Sequence, residues 1–247
     1  MTTPATTPAT RTVTTTRRLP QAGPPLPPIA ISAVALFVAS LVLPILLAGG
    51  AIYPSPFASE ATIVEYFRAN PTPVLLTSLL QFAASLPLGI YAATVSVRLN
   101  RLGIRAPGAT IGLVGGVLAS ASMALSALLT WTLTRPEILD HAELIRLVHD
   151  LAFITGGPGF VVPSGLLIAG IAVPGLLAGL LPRSLAWAGL VIAALAMIAT
   201  LTVAFPGLSI LLPIVRFPSL AWIVLAAFLL PHRRPTAAPA AKEAAAS

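Results

Sequence analysis

Residues 29–51 read IAISAVALFVASLVLPILLAGGA, 23 residues without one charged side chain. The hydrocarbon core of a bilayer is about 30 Å thick, and a helix rising about 1.5 Å per residue needs roughly 20 apolar residues to cross it. This stretch is therefore long enough to span. Working outward, five more stretches have the same character, near residues 74–97, 109–133, 151–180, 185–204 and 208–230. In lipid the backbone must satisfy its own hydrogen bonds, so the expected fold is all-α: a polytopic bundle of six transmembrane helices. Composition agrees. Charged residues make up 9% of the chain and mean hydropathy is +0.95, whereas a soluble domain carries about a quarter charged residues. The lipid bilayer is thus the first expected partner.

The few charges sort by side. If the N-terminus is cytoplasmic, Arg11, Arg17, Arg18, Arg98, Arg101, Arg105, Arg183, Arg233, Arg234 and Lys242 lie inside, while Arg68, Arg135, Arg146 and Arg216 lie outside. Ten against four places both termini in the cytoplasm of a cell with a cytoplasmic membrane, as an even number of spans requires. Six of the seven acids fall outside and only Glu243 inside. The high sequence pI of about 11.3 is then a topology signal with scope for anionic-lipid contact, not a nucleic-acid footprint. The Arg-over-Lys usage, with abundant Ala, Pro and Gly, points to a GC-rich bacterial genome.

Three units follow: a disordered cytoplasmic tail over 1–28, the six-span domain over 29–231, and a second disordered tail over 232–247. The first tail holds nine Thr and seven Pro, including a tandem TTPA, and nothing that buries a core. The first outer segment is expected to hold a short interfacial helix. Ser59 caps it, Glu60 suits its positive end, Asn70-Pro71 ends it, and Ile63, Tyr66 and Phe67 share one face, so that it lies on the membrane or lids the bundle. The second outer segment, 134–150, carries Arg135, Glu137, Asp140, His141, Glu143, Arg146, His149 and Asp150 and reads as a helix leading into the fourth span. Gly156-Gly157-Pro158-Gly159 follows at once and should break or bend that helix.

Within the spans, Ser78, Gln81 and Ser85 share a face of the second helix. Gly112, Gly116, Ser120 and Ala124 recur every four residues on the third, beside a second stripe of Ser122, Ser126 and Thr130. Small residues at this spacing let helix backbones approach closely, and both stripes read as packing surfaces. Deep in the spans there is no Asp, Glu, Lys or His, which weighs against proton coupling. The absence of cysteine excludes disulfides, thiolate nucleophiles and Cys-based metal sites. The charged cluster at 137–150 lacks a recognised metal-ligand spacing, and Ser164-Gly165 with His149 upstream lacks the GxSxG frame of a serine hydrolase. No cofactor is expected.

Arg216 is the exception within the spans. It sits roughly 21 Å above the inner face, where an arginine costs about 2.5–3.5 kcal/mol at a helix centre on insertion scales. It either snorkels to the interface or turns inward to a partner. Asp150 lies at matching depth, and the broken helix offers freed carbonyls. Arg216, Asp150, His149, Gly156, Gly157 and Gly159 therefore form the candidate polar pocket or structural lock.

Gly156-Gly157 before Pro163, Gly165 and Gly170, then Pro182-Arg183 with Trp187 and Gly189, then Pro213 with Arg216-Phe217 and Trp222 give residues 30–231 a resemblance to a family of bacterial six-span integral membrane proteins of unassigned activity. The resemblance implies a helical membrane protein and carries no activity with it. The leading functional reading is a non-catalytic membrane protein, binding membrane-protein partners or a second copy of itself, or supporting the envelope. The alternative is a small-solute transporter or channel with an outward-facing pocket near Arg216 and the helix break. No nucleophile–base constellation argues for an enzyme.

Overall fold

The computed structural model describes residues 24–231. They form α-helices and two short 3-10 helices, with no strand among the described residues. The expected tail over 232–247 and residues 1–23 of the expected tail over 1–28 lie outside the described residues. The first helix, α1 (Leu26–Leu47), begins three residues earlier than the sequence suggests. Pro27 and Pro28 stand in its first turn, where a missing N–H costs nothing, and Leu26 is fully buried. The 28/29 boundary therefore moves into the helix.

The remaining elements follow in order: α2 (Glu60–Ala69), α3 (Pro71–Arg101), α4 (Gly108–Thr132), α5 (Pro136–Leu139), α6 (Ala142–Gly156), α7 (Pro158–Leu177), α8 (Arg183–Ile198) and α9 (Leu211–Leu229). The 3-10 helices Ala199–Val203 and Pro206–Ile210 extend α8 and precede α9. Six stretches are long and apolar enough to cross a membrane: Leu26–Leu47, Pro71–Arg101, Gly108–Thr132, Ala142–Leu177, Arg183–Val203 and Pro206–Leu229. Their outward faces carry Leu46, Leu79, Leu177, Val203, Ile210 and Phe228, all more than half exposed. A surface so uniformly apolar suits lipid, not water, and the protein is an integral membrane protein.

Glycine sets the close approach of α4 and α7. A Cβ on Gly115 of α4 would lie 2.5 Å from the Leu167 nitrogen, 2.6 Å from the Leu166 Cβ and 2.7 Å from the Pro163 oxygen of α7. One turn away, Gly112 faces Gly170 backbone to backbone. Of the predicted stripe, Gly112 meets α7 and Gly116 meets Ala92 of α3, as its spacing predicts, whereas Gly115 lies outside it. Ser120 on the same stripe donates to the Ser85 carbonyl of α3 at 2.7 Å. Trp222 of α9 lies flat against Gly189 of α8 and donates to the Leu185 carbonyl at 2.8 Å.

One end of the bundle is capped. Ser59 accepts from the Thr62 amide at 3.2 Å, so α2 starts where expected, and Asn70 closes it. Its buried face is Ile63, Val64 and Phe67, packed with Leu133, Val74 and Ile145. Tyr66 is only half-buried. The helix lids the protein. Arg68 fastens it by donating to the Leu139 carbonyl at 2.8 Å, and Arg146 of α6 fastens the preceding loop through the Pro56 and Ala58 carbonyls at 2.8 and 3.3 Å. Trp131 and Trp187 remain on the surface at opposite ends, as interfacial belts require.

Candidate functional site

The fourth span is broken where the glycines predict. Gly157 interrupts the helix between α6 and α7, and Pro158, which has no N–H, begins α7. The Phe160 amide turns to the Gly157 carbonyl at 3.2 Å, leaving the Gly156 carbonyl to another donor. Gly156 itself is pressed against Ser126 of α4, where a Cβ would collide with the hydroxyl. The break is thus both exposed as an acceptor and held in place by packing.

Arg216 supplies the donor. It lies four residues after buried Leu212 and three before buried Ser219, on the inward face of α9. Its Nη2 donates to the Gly156 carbonyl. The guanidinium carbon also sits 5.2 Å from the Phe160 ring centre and 5.7 Å from that of Phe37, which stack on each other at 6.4 Å. Cation–π attraction of this kind is worth about 0.5–2 kcal/mol, more as the site loses water. Arg216 therefore turns inward, as its cost in lipid demands. Its Nε is buried and has no hydrogen-bond partner among the described residues.

The expected partner Asp150 is not one. Its carboxylate accepts from Arg146 Nε at 3.0 Å, one helical turn earlier on the same helix. The i,i+4 geometry satisfies Asp150 locally, and Arg146 is anchored by the loop carbonyls beside it. The lock between Arg216 and Asp150 is replaced by one between Arg216 and the helix break. Glu143, three residues before Arg146, lies 3.5 Å from His141.

A cavity of about 400 Å³ opens beside Arg216 in the capped half of the bundle. Four of the six candidate residues line it: His149, Gly156, Gly157 and Arg216. Asp150 faces Arg146, and Gly159 packs toward the Ile154 carbonyl, where a Cβ would lie at 3.0 Å. His149 is 1% exposed and sits between the rings of Tyr53 and Phe67, 5.7 and 5.3 Å away. Its Nδ1 has no partner among the described residues, and neither does the buried Ser209 hydroxyl, another wall of the cavity. Packing within the cap desolvates the Tyr53 phenol and raises its pKa, so the group stays an uncharged O–H.

Sequence reasoning missed several walls. Ser126 and Thr130 form part of the lining, although their stripe reads as a packing surface. Ser126 does both, donating to the Ala152 carbonyl at 2.8 Å across the α4–α6 contact. Phe37, Ser40 and Gln81 also line the space; a Phe three residues before a Ser in an otherwise apolar span is the only signal in α1. Ser164, weighed as a nucleophile, donates to the Val161 carbonyl of its own helix at 2.7 Å. The cavity walls therefore offer hydrogen bonds, a cation and aromatic faces, a set suited to holding a small molecule. No family model, no curated protein and no solved structure matches this chain.

Proposed function

We propose that this protein acts by binding a small solute in the Arg216 cavity, as a non-catalytic membrane protein of the transporter class. The observation that carries the reading is a guanidinium turned into a cavity of about 400 Å³ with no carboxylate partner among the described residues. A volume in the roughly 300–1,000 Å³ range, largely apolar walls and a few convergent polar groups are the ordinary makings of a ligand site. A broken helix beside it is where membrane carriers hold their cargo, because interrupted backbone is tolerated at that depth only against protein or a cavity. The serine hydroxyls of the walls at Ser40 and Ser126 are committed to backbone carbonyls, which favours binding over chemistry.

The distribution of basic residues supports a cytoplasmic membrane with both termini inside, and the cavity then faces outward. The test is thermal stability of the purified full chain in a neutral detergent against a panel of anionic, neutral and cationic small solutes. The expected result is stabilisation by at least one anionic solute, lost in Arg216→Gln. A flat response to the whole panel would overturn the reading.

A further inference from the structure

The walls of this cavity combine one buried cation with a largely apolar lining, and that combination points to the class of ligand. Resting on the reading above, we infer that the cavity takes an amphiphile: an apolar body of one short chain carrying a single anionic, oxygen-bearing head on Arg216.

The head group is fixed by the charge. Arg216 brings a full positive charge into the membrane region, and its Nη2 reaches the Gly156 carbonyl, a neutral acceptor. Nε remains buried and unpartnered. A planar guanidinium held against Phe37 and Phe160 has N–H groups left beyond its one bond to Gly156, and such groups suit an anionic oxygen head. A cationic solute would meet repulsion there. A neutral one would leave the charge uncompensated. His149 Nδ1 and Ser209 Oγ add two further unpartnered polar atoms on the walls.

The body is fixed by the walls and the rim. Leu41, Met123, Phe153, Leu212 and Phe217 offer an apolar lining to whatever lies next to the head. The rim also reaches the outer surface of the bundle. Phe217 lines the cavity and is 50% exposed, and Ile52 lines it and is 74% exposed. Phe217 belongs to α9, whose exposed face meets lipid, and Ile52 lies at the junction of α1 with the cap. These exposed rim residues make the α1–α9 side the route by which an apolar chain would enter from the bilayer. A small, fully hydrophilic anion would lose its hydration against these walls and gain only one guanidinium contact.

The carboxylate and phosphate versions of such a head share this chemistry, and the experiment separates them. Decanoate, decyl phosphate, decanol, decyltrimethylammonium and acetate are titrated into the full-length protein in neutral detergent at fixed pH 8, reading binding by equilibrium dialysis and by thermal shift. Decanoate or decyl phosphate should bind about tenfold or more tightly than decanol, the factor expected of one charge-assisted hydrogen bond, and also more tightly than acetate, which has the head without the apolar chain. Whichever of the two binds more tightly names the head. Arg216→Gln should remove that advantage while leaving decanol unchanged. If the substituted protein does not fold, the wild-type ranking alone decides. Equal binding of decanol and decanoate, or preference for the ammonium, would overturn the inference. Arg216-dependent binding of acetate or another hydrophilic anion without an amphiphile preference would overturn it too, yet leave the solute-binding reading standing. No binding by any member, together with a flat solute panel, would remove both.

Discussion

Replacing Gly115 by Ala tests the contact that sets the distance between α4 and α7. The added Cβ would sit 2.5 Å from the Leu167 nitrogen, where ordinary contact begins at 3.4 Å, so α7 must retreat by the difference, about 0.9 Å. No flexible side-chain end is available to yield. The opposing atoms are two backbone atoms and a Cβ, and Gly112 against Gly170 pins the same helices one turn away. Overpacking of this kind costs about 1–3 kcal/mol, and rigid opposing atoms put it near the upper end. Alanine returns up to about 1 kcal/mol through helix propensity. The net loss is therefore about 2 kcal/mol, a fall in Tm of about 4–8 °C for a chain of this size. Gly207→Ala is the matched control, since nothing lies within 4 Å of its Cβ. Thermal unfolding in mild detergent reads both. A Gly115→Ala protein as stable as wild type would refute the close approach, because propensity would then have outweighed a collision that does not occur.

Three further outcomes follow from the same geometry. Arg146→Met should destabilise the cap by about 2 kcal/mol, since it removes a charge-assisted bond to the Pro56 carbonyl and a weaker one to Ala58, whereas Asp150→Asn should cost at most about 1 kcal/mol, its ion pair being partly solvated; hydrogen exchange of residues 52–59 checks the difference. The stability effects of Arg216→Leu and Asp150→Leu should add within about 0.5 kcal/mol in a double-mutant cycle, because each side chain has its own partner; strong coupling would restore the lock expected from sequence. Reporter fusions after residues 100, 142 and 240 should read inside, outside and inside, and an outside signal at 240 would mean that the chain does not cross six times.

The architecture was legible because lipid imposes so few solutions. Length and apolarity located all six spans, and Ser59, Asn70 and the glycine run at 156–159 marked their elements by local chemistry that needs no tertiary context. Arg216 could be placed inward by cost alone. Of its two expected partners, the freed carbonyls of the break and Asp150, it takes the first. Depth made Asp150 a reasonable choice, but depth says nothing of rotation about α6, and the nearer Arg146 claims the carboxylate first. The cavity walls were equally hidden. Ser126 and Thr130 carry the same small-residue spacing whether a helix or a space faces them, and only the tertiary packing around them decides between the two. Tyr53, in the first outer segment, packs against His149 in the cap, a contact that no local pattern announces.

The chain has no cysteine, so a single thiol reports without background, and Ser126→Cys places one in the cavity wall. The most direct test of a solute site centred on Arg216 is the labelling rate of this thiol by an anionic and a cationic methanethiosulfonate of similar size. The anionic reagent should react several-fold faster, and Arg216→Gln should bring the two rates together. A thiol that reacts with neither reagent, or one that shows no preference for negative charge, would contradict the account.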